Sequence, residues 1–147
     1  MALTTDAPSY TGLGPAVHRV SLNSYDSPQL ERDELLAEVR KGRPHQDVRD
    51  WLQMVDAAGE LRVLEGVDWE ENIGRITEML HHTDGAPAVL FDKVPGYPEG
   101  YRLLVNAQGE RSRLAVTLGL PLNISVIDLM NEWERRMDEL EPIPPRM

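Results

Sequence analysis

Few residues of this chain have types and spacings that could do chemistry. Two histidines stand side by side as His81-His82. Adjacent residues on a helix point about 100° apart, so the two rings cannot easily share one metal ion, and helical zinc pairs use i, i+4 spacing instead. Glu78 lies four residues before His82 and three before His81, which permits one weak Glu/His pair. The position fits an exposed helix end, where an imidazolium suits the negative pole. Asp68, Glu70 and Glu71 have the look of a paired-carboxylate site. Acids in a first helical turn are favoured by the helix dipole, and that explains them without catalysis. Asp138, Glu139 and Glu141 read as a solvated acidic surface.

Two serines complete the inventory. Ser125 precedes an apolar-periodic run with Asp128 three residues on, so it is expected to cap a helix. Ser112, in NAQGERSRL, stands at a helix start between Arg111 and Arg113. A helix start with two arginines could hold an anion, and it could equally be a capped turn facing solvent; the turn is the expectation. Neither serine has a sequence-local base or a G-x-S-x-G elbow. With no cysteine, thiolate catalysis, disulfides and Cys-based zinc sites are excluded. Trp51 and Trp133 fall on apolar stripes and suit core or interface, while Tyr97 sits in a turn where it can dock against another chain. Tyr97, Trp133, Arg111 and Arg113 are therefore interface candidates, and no residue is assigned a catalytic, cofactor-binding or metal-binding role.

The elements that must position these residues follow from periodicity and punctuation. Residues 1–28 are rich in Pro, Gly, Ser and Thr without a period and are expected to form an extended arm, with one α/β domain over 29–147. A short helix is expected from about Pro28 to Arg40, stopped by Lys41-Gly42-Arg43-Pro44. Asp47 then caps a helix whose Val48, Trp51, Leu52 and Val55 share one face, with Gly59 as its left-handed end. Glu60 to Glu65 alternates as a strand. Asp68 and Glu71, as an Asp version of the capping box, open a helix with Ile73, Ile76 and Leu80 on one side, closed by Asp84-Gly85. Ala88–Phe91 and Tyr101–Val105 read as strands of a wide hairpin, with Pro95-Gly96 at the centre of a type II turn. A helix from Glu110 to Leu118 is stopped by Gly119 and Pro121. A last helix from Ser125 carries Val126, Leu129, Met130, Trp133, Met137 and Leu140 as a long stripe, ended by the prolines of EPIPPRM. The fold class is a small α/β layer with few strands and flanking helices.

Composition narrows the partners. The formal net charge is −10, from 25 acidic and 15 basic residues. A nucleic-acid backbone would be repelled, and a basic partner surface is favoured. The apolar runs are too short to span a bilayer, and the first residues do not resemble a signal peptide, so a cytoplasmic protein is expected.

Three segments, in order, resemble the N-terminal domain of the UbiD-like family of prenylated-FMN-dependent decarboxylases and carboxylases. DVRDWLQMVDAAGELRVLEGVDWEENIGRITEML is similar to the family's D-L-R-x-F-L helix, Gly-Glu-Leu strand and V-D-x-x-x-E-I-x-x-I helix, through Asp47, Arg49, Trp51, Leu52, Gly59, Glu60, Leu61, Val67, Asp68, Ile73 and Ile76. GAPAVLFDKVPGYP resembles G-G-P-A-L-L-F-E-N-V-x-G-Y-P, and GERSRLAVTLGL resembles S-x-x-R-x-A-x-A-L-G-L. The agreement spans about Asp47 to Leu120, and the closing PIPP resembles the lead into the family's next domain. Family members are several times longer, with their flavin, metal and catalytic residues downstream, so only Gly59, Pro95, Gly96 and Gly119 carry over, as turn or cap positions. The resemblance implies a non-catalytic subunit beside a larger UbiD-like chain that holds prenylated FMN, a divalent metal (Mn or Mg) and the acid/base residues, acting on an aromatic or α,β-unsaturated acid. The starting Met, the arm and the stop at Arg146-Met147 lean towards a separate subunit over a truncated piece. A stand-alone binding or regulatory scaffold remains the alternative.

Overall fold

The structure, a computed structural model, describes residues 32–141. The expected extended arm, the start of the first helix and the closing proline segment lie outside the described residues. The elements run α1 Arg32–Lys41, α2 Val48–Ala57, β1 Leu61–Glu65, α3 Asn72–His81, β2 Ala88–Asp92, β3 Leu103–Val105, α4 Arg111–Leu118 and α5 Val126–Glu139. Among the described residues there are five helices and one mixed sheet of order β1-β2-β3. β1 and β2 are parallel, Leu61 opposite Ala88 through Glu65 opposite Asp92, with α3 as the crossover. β2 and β3 form the antiparallel hairpin, Val89 opposite Val105 and Phe91 opposite Leu103.

The central strand explains the layering. Ala88, Val89, Leu90 and Phe91 are all buried, so β2 is covered on both faces. Side chains alternate across a strand. Ala88 and Leu90 accordingly join Leu61 and Val63 against α1 and α2, in a cluster with Trp51, Met54 and Val55. Val89 and Phe91 face the other way, against Ile73 and Leu80 of α3. A third, smaller cluster of Ala115, Leu120 and Leu129 ties α5 to the end of α4. Each fully buried large side chain of this kind contributes about 1.5–3 kcal/mol from burial, so the two main clusters carry the sheet.

Side-chain caps mark the starts of α2 and α5, as read from the sequence. Asp47 accepts the amides of Arg49 and Asp50 at the start of α2. Those two amide hydrogen bonds, Asp50 first and then Arg49, hold its carboxyl below the usual range. Ser125 accepts the Asp128 amide at 3.1 Å and donates to the Asp128 carboxylate at 2.7 Å. The α1 and α4 termini meet back to back, and glycine is required at both. Gly42 has φ +92°, and a Cβ on it would lie 2.9 Å from Pro121 N and 3.0 Å from Gly119 O. Gly119 has φ +65°, and a Cβ there would lie 3.2 Å from Pro44 Cα.

Several expectations need correction. Val48 is exposed, because it is the first residue of α2 and lies beyond the sheet's reach. α3 begins at Asn72 and not at Asp68. The Asp68 carboxylate does accept the Glu70 and Glu71 amides, but it caps a preceding single turn. Glu71 gives no side-chain cap in return and lies 3.3 Å from Arg75, one helical turn on. β3 is shorter than expected, starting at Leu103, and Tyr101 stands exposed in the approach to it.

Candidate functional site

Three places gather the residues that carry charge, aromatic surface or both. The first is internal. The α4 start does hold an anion, and that anion is the chain's own Glu60, which lies just before β1. Ser112 Oγ donates to Glu60 Oε2 at 2.7 Å and Arg113 Nη1 donates to the same oxygen at 3.0 Å. Arg113 Nη2 donates to the Ala86 carbonyl at 2.8 Å. Asn106, at φ +53°, donates through Nδ2 to the Ala86 and Pro87 carbonyls, and Glu110 Oε1 accepts the Gly85 amide. Together these bonds fasten the segment entering β2 to β1 and α4. Arg113 is only 1% exposed. It was expected at an interface, and Ser112 in a solvent-facing turn; both belong to this internal knot. The physical reason is that a buried guanidinium requires a partnered carboxylate, and Glu60 is the one in reach. Arg111, next door, is exposed.

The second place is the end of the sheet where β1 and β2 terminate. Val94 to Tyr97 closes as a turn, with the Tyr97 amide donating to the Val94 carbonyl and Gly96 at φ +84°. This turn sets Tyr97 edge-on to Trp69, ring centroids 6.2 Å apart and planes at 85°. Both rings are about half exposed. Lys93, at φ +50°, reaches back to Glu65 at 2.8 Å, and that carboxylate raises its pKa. Trp69 was missed in the sequence, where it sits between two capping acids and off any apolar stripe.

The third place is α5. Leu129 is its buried residue, and Arg136 Nη1 donates to the Leu118 carbonyl at 2.7 Å. The expected stripe exists, yet Val126, Met130, Trp133, Met137 and Leu140 are all exposed, Trp133 by 50%. On the opposite face, Arg135 binds Glu132 and Glu139, and Arg136 binds Glu132. Arg135 and then Arg136 hold the Glu132 carboxyl down to about 2.

The other sequence candidates settle as structural parts. His82 Nε2 lies 2.9 Å from Glu78 Oε1 on an exposed helix end, with His81 exposed beside it. Trp51 is buried and donates through Nε1 to Thr117 Oγ1 at 3.0 Å, which joins α2 to α4. Among the described residues no group of three or more His, Asp or Glu could hold a metal ion. Arg113 and Lys93 are bound to Glu60 and Glu65, and Arg62 of β1 donates to the Gly59 and Leu61 carbonyls. No described residue is assigned to a flavin or a metal. No described helix is long and apolar enough to cross a membrane.

Comparison with known proteins gives one consistent picture. A family profile described as the 3-octaprenyl-4-hydroxybenzoate carboxy-lyase N-terminal domain matches residues 52–133. A phenolic acid decarboxylase of Escherichia coli O157:H7 is 33% identical over 102 residues, which cover 68% of this chain and 21% of that protein. A phenolic acid decarboxylase of a Streptomyces species is 32% identical over 104 residues, 69% of this chain and 22% of that protein. Among solved structures, the vanillic acid decarboxylase ShVdcCD of Sedimentibacter hydroxybenzoicus is similar in its open form with a truncated ShVdcD, at TM-score 0.61 and 30% identity, covering 70% of this chain and 22% of that one. Its closed form matches at TM-score 0.60 and 30% identity, covering 70% and 21%. The chain thus spans about a fifth of the length of the relatives it matches.

Proposed function

Because the chain belongs to the family of 3-octaprenyl-4-hydroxybenzoate carboxy-lyase (UbiD-like) N-terminal domains, we propose that it is a non-catalytic subunit of a UbiD-like decarboxylase. In this reading a larger chain carries prenylated FMN, a divalent metal (Mn or Mg) and the acid/base residues. This chain covers one side of the active-site cleft and holds the complex in shape. The substrate class is an aromatic or α,β-unsaturated carboxylic acid. Phenolic acids come first, because phenolic and vanillic acid decarboxylases are its named relatives.

The observation that carries the reading is the family match together with the exposed apolar stripe of α5. About a hundred residues of this chain align with a fifth of a decarboxylase, and the described part folds around its own core. Arg113 and Lys93 are paired with Glu60 and Glu65, while an apolar stripe faces outwards on α5. Such a body offers shape and surface to a partner.

The test is co-expression of this chain with a UbiD-like catalytic chain from the same genome, with affinity capture through this chain. The expected result is a flavin-containing complex that consumes a phenolic acid, with no turnover by this chain alone. Decarboxylation by the purified chain alone would overturn the proposal. So would a chain that runs alone in native extract and captures no larger partner, which is the outcome a stand-alone scaffold gives.

A further inference from the structure

The exposed stripe of α5 has a spacing of its own. Val126, Met130, Trp133, Met137 and Leu140 follow one another at intervals of 4, 3, 4 and 3 residues, with Leu140 at the helix C-cap. That is the a/d repeat of a coiled-coil seam, which averages 3.5 residues and keeps one apolar line facing a second helix. From Val126 to Met137 the line is about 17 Å long at 1.5 Å per residue. Every member is at least half exposed, so the seam is formed and lacks its second helix among the described residues.

The charges of α5 say what that helix is made of. Asp128 is held by the Ser125 cap, and Glu132 and Glu139 by Arg135 and Arg136. The two remaining acids, Glu134 and Asp138, make no ion pair with any described residue. They lie four residues apart, in the row that borders the seam on the side away from Leu129 and the body. Asp138 also stands in the last turn, where a carboxylate opposes the negative helix pole. Ile127 and Asn131 continue the same row towards the N-terminus. A second copy of the chain is a poor occupant, since it would set two such acidic rims together on bodies of formal charge −10 each.

We propose that the α5 seam binds an amphipathic helix of another chain, apolar at heptad spacing and carrying Lys or Arg opposite Glu134 and Asp138. This deepens the subunit role and rests on it only for which chain brings the helix. The seam itself is tested separately.

The probe is a labelled 21-residue helical peptide with Leu at a and d and Lys at the flanking positions, titrated into the full chain and followed by anisotropy. Its control has Glu in place of Lys. The Lys peptide is expected to bind at least tenfold tighter than the Glu peptide, and to weaken as salt rises from 0.05 to 0.5 M. Trp133→Ala is expected to lose tenfold or more, and Glu134→Lys with Asp138→Lys to reverse the preference between peptides. Circular dichroism checks that each variant stays folded, which is expected because all three residues are exposed. Equal binding of both peptides, or no binding of either, refutes the seam. So does a Trp133-dependent homodimer in sedimentation, or transfer of the chain to phosphatidylcholine vesicles. If a larger chain still co-purifies with Trp133→Ala at wild-type yield, the seam fails while the subunit role stands.

Discussion

At the mouth of α4 an arginine is 1% exposed, and some twenty residues later a tryptophan on α5 is 50% exposed. The two regions invert the ordinary rule that charge lies outside and apolar surface inside. Around Arg113 the inversion is compensated. Glu60 and the Ala86 carbonyl each accept from one terminal nitrogen of the guanidinium, Ser112 holds Glu60 in place, and only Nε lacks a partner. Along α5 it is not compensated, because nothing among the described residues covers the stripe. A buried charge inside a closed set of hydrogen bonds belongs to the fold. An apolar line left open belongs to an encounter. The first region should therefore respond to mutation in stability, and the second in association.

The largest expected effect is on the knot. Glu60→Ala leaves Arg113 buried without its counterion and should lower unfolding free energy by about 3 kcal/mol, at the low end for a broken buried pair because water reaches Glu60. Urea denaturation reads this directly. The double variant Glu60→Gln with Arg113→Met should be less destabilised than Glu60→Ala alone. A loss below about 1 kcal/mol for the single variant would break the contrast with α5. Gly42→Ala comes next, at about 2 kcal/mol, since the residue must take a left-handed φ with its Cβ pressed on the backbone of Gly119 and Pro121. A cost within 0.5 kcal/mol would mean that the α1–α4 junction is looser than it stands here.

Acid sharpens the comparison on the α5 side. The folded Glu132 carboxyl titrates near 2 against an ordinary value of 4.5. A depressed carboxyl stabilises the fold fully above its unfolded value, and the contribution is lost as pH falls towards the folded one. Amide hydrogen exchange on α5 should therefore quicken between pH 4.5 and about 2, once corrected for intrinsic rates. Asp47 and Asp68 are shifted in the same direction by backbone amides, so α2 and the turn before α3 should weaken in the same sense below 3.8. The smallest stability effect is expected for Trp133→Ala, within about 0.5 kcal/mol in the isolated chain. A loss above 1 kcal/mol would mean that the ring supports the fold and is not held in reserve for a partner.

Much of the architecture was legible because local signals agree with one another. Asp47 and Ser125 announce their helices, Pro95-Gly96 announces its turn, and the apolar run Ala88–Phe91 reads as a strand. The family resemblance read from three motifs agrees with the profile match over residues 52–133. The misses share one cause. Arg113 looked like surface because its sequence neighbours are polar, and its partner Glu60 lies 53 residues away. Trp69 drew no reading because its partner Tyr97 arrives from another loop. Pairings across that much chain leave no mark in a local window.

The sequence by itself determined which segments are helices and which are strands, with the Asp47 and Ser125 caps, and that α5 has one apolar face. Those properties arise from side-chain periods, capping groups and glycine or proline dihedrals within a few residues of each boundary. Tertiary structure alone decided which apolar face is used. β2 is sealed between α2 and α3 while α5 keeps its stripe open, because burial depends on what else the chain folds against that surface, and periodicity carries no record of it.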